Sequence, residues 1–593
     1  MARKELNLGI VAHVDAGKTT LTERLLYAAG VIAEVGSVDA GTTQTDSLAL
    51  ERQRGITIRT AVASFDVGDV HVNLIDTPGH PDFIAEVERA LSVLDGAVLV
   101  ISAVEGVQPQ TRILMRALQR LRLPTLLFVN KTDRTGADVD RTLHAIARRL
   151  TPDAAPVEIL DDGFAQLVAS AEVYPVFAGS ALTGDGVQPL LHGIATLLPP
   201  AAGDPATPPS GTVFKIEDGI PFVRMWSGTV HVREHLEQGK VTALAVFEHG
   251  GTPVKQQSVA AGAVARIWGL GELQIGDRIG APGTPGREHR FPPPTLEAVV
   301  VPRDPDGAHD LRLALNELAQ QDPLIGVRQD DNGTLSVSLY GEVQQQVLEA
   351  TLAGEYALDV EFREPTIIYV ERPVGTGDAI EILNKAPNPF DATVGLRIEP
   401  GEDGSGVDFR LEVPTRVLPL HLYKSRELFA DDMRRSVGLA LREGLHGWRV
   451  TDCVVTMTDC EYAVADGPPT KRGSTSQSDY RALTPIVLAR AIAHAGTAVC
   501  EPILDVTLEV PAATLGAALG VLGRVGAVVE TPVLHGDLAV VEATLAAARA
   551  TELQRELPRV TSGEGVFESA FAGYRPVAGG EPPTRRPRPR TSA

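Results

Sequence analysis

At 593 residues the chain has room for roughly four domains of ~150 residues each, and 44% hydrophobic residues are ample for several cores. A formal charge of −22 argues against non-specific attraction to polyanions, so nucleic acid would have to be met through local patches and shape. Three cysteines (Cys453, Cys460, Cys500) are too few for a disulfide framework and point to a reducing, cytoplasmic setting. No basic segment followed by an apolar run opens the chain, and no apolar stretch approaches the ~20 residues that span a bilayer, so a soluble protein without membrane contact is expected.

In chain order, the first informative stretch is Ala12-His13-Val14-Asp15-Ala16-Gly17-Lys18-Thr19, between an apolar run (Leu8 to Ala12) and a helical pattern (Thr20 to Ala29). Strand, loop, helix is the context of a phosphate-binding loop: backbone N–H groups and the helix N-terminus face the phosphates, Lys18 reaches the β- and γ-phosphates, and the Thr19 hydroxyl ligates Mg²⁺. Ala12 stands where the pattern's first glycine belongs. Val72–Asp76 reads as a buried strand followed by Thr77-Pro78-Gly79-His80. An aspartate at a strand end is placed to hold Mg²⁺ through water, and Gly79 lets a backbone N–H approach the γ-phosphate. Ala97–Ser102 and Thr125–Val129 are further strands, the second ending in Asn130-Lys131-Thr132-Asp133. A carboxylate there accepts from N1–H and N2–H₂ of guanine, a donor pair adenine lacks. Val176–Ala178 precedes Gly179-Ser180-Ala181-Leu182, whose backbone can cover the base. Strands alternating with helices predict a mostly parallel α/β sheet with ligand at the strand carboxyl ends.

Four such motifs in this order resemble the translational GTPases, and residues 12–20, Arg54-Gly55-Ile56-Thr57-Ile58, 76–80 and Asn130–Asp133 resemble the elongation factor G subfamily, where Ala12 is usual. The resemblance implies GTP and Mg²⁺ as cofactors and assigns roles by position. Thr57 closes over Mg²⁺ and the γ-phosphate, His80 positions the attacking water, Val14 and Ile56 gate His80, and Asp15, Ala16, Gly17, Lys18, Thr19 and Thr20 surround the phosphates. Asp76 and Gly79 flank the γ-phosphate, while Asn130, Lys131, Asp133, Ser180, Ala181 and Leu182 hold the base. Only Arg134 to Phe177 lies between the last two motifs, too short for the subdomain that elongation factor G usually inserts there.

Pro199 to Ser210 marks a linker, and the short Gly-punctuated runs that follow suggest a β-barrel. After a Pro/Gly-rich break at 282–294, helix Leu311–Gln321, strands Leu324–Arg328 and Thr334–Tyr340, helix Glu342–Ala353 and strand Leu358–Phe362 read as a split βαβ arrangement. Tyr369–Pro373, Ala386–Phe390, Gly444–Cys453 and Asp479–Leu488 resemble the fourth domain of tetracycline ribosomal protection proteins, the Tet(M)/Tet(O)/Otr(A) group, over about the first 575 residues. The expected fold is multidomain α/β: a P-loop G domain (1–200), a β-barrel domain (210–285), then three α+β domains of split βαβ type (292–363, 364–497, 498–575) and a disordered basic tail (576–593).

The resemblance implies a monomer that binds the ribosome, at the small-subunit decoding-centre RNA and the large-subunit GTPase-associated region, and acts on tetracycline indirectly. Its tip would be the loop 459–478, where Tyr462, Pro468 and Pro469 can stack on bases and Lys471 and Arg472 can neutralise phosphate. This loop is longer than the group's and has one tyrosine. Two other readings therefore stay open: an elongation-factor-like GTPase without a drug role, and a ribosome-binding regulator whose GTPase acts as a timer.

Overall fold

The computed structural model describes residues 4–36, 61–76, 90–157, 164–248, 252–271, 273–280, 294–321, 325–329, 333–339, 342–464, 474–577, 579 and 581–585. It forms two compact units, one comprising 1–366, 509–511 and 561–568, the other the remainder.

The first unit opens on a seven-stranded sheet: β1 Lys4–Ala12, β2 Ala61–Val67, β3 Val70–Asp76, β4 Gly96–Ser102, β5 Thr125–Asn130, β6 Ala154–Pro156 and β7 Tyr174–Ala178. The order is β2-β3-β1-β4-β5-β7-β6, and only β2 runs antiparallel. Every residue of β3, β4 and β5 is buried, as continuous apolar runs covered on both faces demand. Helix α1 (Lys18–Ala28) follows β1. Because β1 lies between β3 and β4, the chain leaves it first to one side of the sheet and then to the other. That switch point puts a crevice beyond the carboxyl end of β1.

The next sheet is antiparallel, and its path runs His235–Leu236, Gly239–Phe247, Val264–Leu270, Ile220–Ser227, Ser210–Glu217, Arg278–Gly280. It closes on Val213, Val223, Met225, Leu244 and Ile267. Phe214, Phe222 and Phe247 join the apolar cluster on one face of the first sheet. One polar hub lies there. Arg224 has no exposed surface, and its Nη2 lies 3.0 and 3.3 Å from the two Asp95 carboxylate oxygens. Its Nη1 donates to Met225 O at 2.6 Å, and the guanidinium lies 4.8 Å from the Trp226 ring centre. Asn7 donates to Asp95 from its backbone at 2.9 Å and its side chain at 2.6 Å.

A third sheet, in the order Val327–Gln329, Leu335–Leu339, Leu296–Pro302, Val360–Phe362, carries helices Ala308–Gln321 and Glu342–Glu355. It is the expected split βαβ arrangement, completed by a first strand, Leu296–Pro302, that the Pro-rich stretch before it masks in the sequence.

In the second unit, strands Gly377–Glu381, Ala392–Pro400, Cys453–Tyr462 and Val407–Leu411 lie in that order. The last two are parallel, joined through helix Arg426–Ala440, and helix Gln477–Ala495 follows. Phe429, Met433, Tyr480 and Leu483 fill the core between them. The three cysteines are free and buried. Burial pushes the Cys453 thiol up to about 12 and Cys460 up to about 11, and raises Cys500. Strands Thr497–Pro511, Leu538–Ala546 and Val566–Pro576, with helices Leu515–Arg524 and Ala550–Thr561, complete the chain.

The tail expected over 576–593 needs correction. Pro576 ends a strand. The Trp448 indole N–H donates to Pro583 O at 2.7 Å, Arg585 N–H donates to His446 O at 3.0 Å, and the Arg585 guanidinium lies 4.9 Å from the Trp448 ring centre. The Trp448 ring face, its indole N–H and the His446 carbonyl give this stretch a seat that composition alone does not reveal. Residues 586–593 lie outside the described residues. Among the described residues no helix is long and apolar enough to cross a membrane.

Candidate functional site

Four strand ends converge beyond β1. Gly17 starts α1 with φ +93°, and a Cβ there would lie 2.4 Å from Asn130 Nδ2, so only glycine fits. Lys18 is the first residue of α1, and Thr19 and Thr20 fill its first turn. Lys18 Nζ lies 2.6 Å from Asp76 Oδ1 at the end of β3, and both side chains are buried. Asp15 takes φ +64° and is exposed, Ala16 is fully buried, and Val14 is 40% exposed.

Asn130, at the end of β5, ties the phosphate loop to the loop after β7. Its Nδ2 donates to Ala16 O at 2.9 Å, and its Oδ1 accepts from Ala181 N–H at 2.8 Å. Ser180 is buried, with its hydroxyl accepting from Thr183 N–H at 3.1 Å, whereas Leu182 is 58% exposed. Asp133 is exposed beside them, and Lys131 pairs with Glu105 at 3.2 Å. Thus Val14–Thr20, Asp76, Asn130–Asp133 and Ser180–Leu182 share one edge of one sheet. Ile56, Thr57, Gly79 and His80 lie outside the described residues.

Residues 3–200 match the family model of the elongation factor Tu GTP binding domain, and 498–585 match the elongation factor G C-terminus. Over 99% of its length the chain is 43% identical to the oxytetracycline resistance protein of Streptomyces rimosus, covering 97% of that protein. The chain belongs to the tetracycline resistance ribosomal protection proteins. Members of this family are elongation-factor-G-like translational GTPases, and the domain matched over residues 3–200 binds a guanine nucleotide. Identity to the TetM resistance protein of Streptomyces lividans is 41%, covering 97% of this chain and 98% of that one; to TetP of Clostridium perfringens it is 35%, covering 97% and 95%. A solved structure from Thermus thermophilus shares the fold, with TM-score 0.63, 23% identity and coverage of 97% and 98%. The likeness to the family thus runs past residue 575, the end expected from the sequence.

One further residue of the candidate site carries no signal in the sequence. His13 is buried, and its Nδ1 lies 3.0 Å from the Thr111 hydroxyl, in the first turn of helix Pro109–Arg120. The same turn holds the next residue of the loop, Val14 N–H donating to Gln110 Oε1 at 3.3 Å. Burial is the main cause that brings His13 from 6.5 down to about 4; Lys131 adds to the fall, and Glu105 and Asp15 oppose it. The ring is therefore neutral at pH 7, an uncharged strut under the phosphate loop. Its depressed pKa means that stability is full above pH 6.5 and is lost as pH falls toward 4, by about 3 kcal/mol. Urea titrations of wild type and His13→Gln between pH 7 and pH 4.5 should show a shallower loss in the variant.

The second unit carries the candidate tip. Its strand runs on to Tyr462, whose ring centre lies 4.9 Å from that of His421. The following helix begins at Gln477, where Ser476 and Asp479 form a reciprocal cap. Ala463 N–H donates to Thr475 Oγ1 at 2.7 Å, and Thr475 N–H returns a bond to Ala463 O at 3.1 Å, closing the loop base. The loop expected over 459–478 is therefore shorter than the sequence reading made it. Pro468, Pro469, Lys471 and Arg472 lie outside the described residues.

Proposed function

We propose that this GTPase binds the ribosome in its GTP form and releases or blocks tetracycline at the decoding site. End-to-end similarity to resistance proteins, joined to a complete set of guanine-site motifs, carries the reading. The domain partition given above, apart from its disordered tail, is proposed with it. Thr19 and, through water, Asp76 would hold Mg²⁺, for which a hydroxyl and a carboxylate near a helix start are a fitting hard-oxygen set. Bound there, the ion would neutralise charge on the β- and γ-phosphates. Lys18 binds the same oxygens, Asp133 accepts from the guanine edge, and Thr57 and Gly79 close on the γ-phosphate. Val14 and Ile56 withhold His80 until the ribosome repositions it to orient the attacking water. The factor works in the cytoplasm as a monomer. Tyr462, Pro468 and Pro469 stack on decoding-centre bases and Lys471 and Arg472 meet phosphate, while residues 501–574 face the large subunit's GTPase-associated region.

The loop's single tyrosine favours a second reading, an elongation-factor-like GTPase without a drug role. Expression in a tetracycline-sensitive host decides between them. Tolerance should rise with the wild type and vanish on deleting Pro468 and Pro469. His80→Ala should keep GTP binding while losing most ribosome-stimulated turnover. Absence of tolerance from the wild type selects the second reading, and full turnover in His80→Ala removes His80 from its role.

A further inference from the structure

Helix α1 does more than present Lys18 and Thr19. Two turns on, Arg24 reaches across to the loop after β7, its Nε donating to Ala181 O at 2.9 Å and its Nη2 donating to Leu182 O. The guanidinium lies 5.6 Å from the Tyr27 ring centre. Gly184 lies beside it, in a backbone conformation (φ +90°) that favours glycine. The contact joins residues 157 apart in sequence.

A trans peptide points its N–H away from its carbonyl, and among the described residues the only cis peptide is Ala386–Pro387. Holding the Ala181 carbonyl toward α1 therefore turns the Leu182 N–H to the opposite side. Holding the Leu182 carbonyl likewise turns the Thr183 N–H away, where it donates to Ser180 Oγ at 3.1 Å. On the other flank Ala181 N–H is fixed by Asn130. With both flanks clamped, the orientation of the Leu182 N–H is set before any base arrives, the preorganisation that makes one hydrogen bond selective.

We propose that Arg24 is a positioning residue for base selection: it clamps the 181–182 carbonyls so that the Leu182 N–H donates to the O6 of guanine. The proposal rests on the guanine site described above and deepens it. Asp133 reads N1–H and N2–H₂ of the same base, so O6 and the donor pair beside it are read by separate groups.

The test compares GDP, its 6-thio analogue, inosine diphosphate and ADP on the full chain. Sulfur at position 6 is a weaker acceptor, so wild type should bind the 6-thio analogue about tenfold more weakly than GDP. Arg24→Met should bring that ratio close to one, weaken GDP by about five- to tenfold, and leave the GDP-to-inosine diphosphate ratio, which reports Asp133, unchanged. Its GTP KM should rise while kcat under ribosome stimulation holds. Arg24→Lys, keeping stem and charge, should restore part of the 6-thio discrimination and serves if Arg24→Met folds poorly. A guanine-selective protein whose Arg24 variants keep the wild-type 6-thio ratio overturns the role of Arg24 alone. Wild type indifferent between GDP and ADP overturns the guanine reading and this proposal with it.

Discussion

Lys18→Ala is expected to cut GTP turnover by about 10²–10³-fold, the usual loss when one preorganised charge facing a reacting oxyanion is removed. The same change has a second effect. Lys18 and Asp76 form a buried pair at 2.6 Å, so deleting the cation leaves a buried carboxylate without its principal counter-charge. Such half-removals cost about 3–5 kcal/mol. Combining Lys18→Met with Asp76→Asn should recover most of the stability and none of the activity. Single-turnover hydrolysis beside urea denaturation of the single and double variants checks both halves. Turnover within threefold of wild type in Lys18→Ala would remove the lysine from phosphate binding.

The largest structural effect is expected at Asp95. Asp95→Ala should destabilise the first unit by about 3–5 kcal/mol, because Arg224 would then be a fully buried cation without its carboxylate. Its remaining contacts, Met225 O and the Trp226 face, do not replace that charge. Adding Arg224→Met to Asp95→Ala should recover much of the loss, since the methionine fills the arginine stem's space without a charge. Trp226 fluorescence during urea unfolding reports both variants. An Asp95→Ala protein with a wild-type midpoint would mean that water reaches the guanidinium.

The strand ends that gather at the candidate nucleotide site were legible because their instructions are local. Residues 12–20, 76 and 130–133 lie at strand ends that announce themselves as apolar runs, and β3, β4 and β5 are buried throughout. Edge elements were not legible. β2, an antiparallel hairpin partner, mixes polar and apolar residues, and helix Ala550–Thr561 carries an internal Pro558 that reads as a breaker. His13 and Arg24 gave no signal, because their partners Thr111 and Ala181 stand 98 and 157 positions away. Helix Gln477–Ala495 begins inside the stretch whose Ser/Thr-rich composition assigns it to the loop 459–478, although Ser476 and Asp479 carry a cap signature. Arg585 was assigned to a free tail because nothing near it in sequence mentions Trp448.

The three interior thiols have a practical corollary. Nucleophilic sulfur must first ionise, and at neutral pH Cys453 and Cys460 stay protonated and shielded, with Cys500 alongside them. Toward maleimide dyes the native chain behaves as a cysteine-free protein. One cysteine engineered onto its surface would accept a fluorophore by itself, and any slow alkylation of the natural three would mark the moment when the second unit opens.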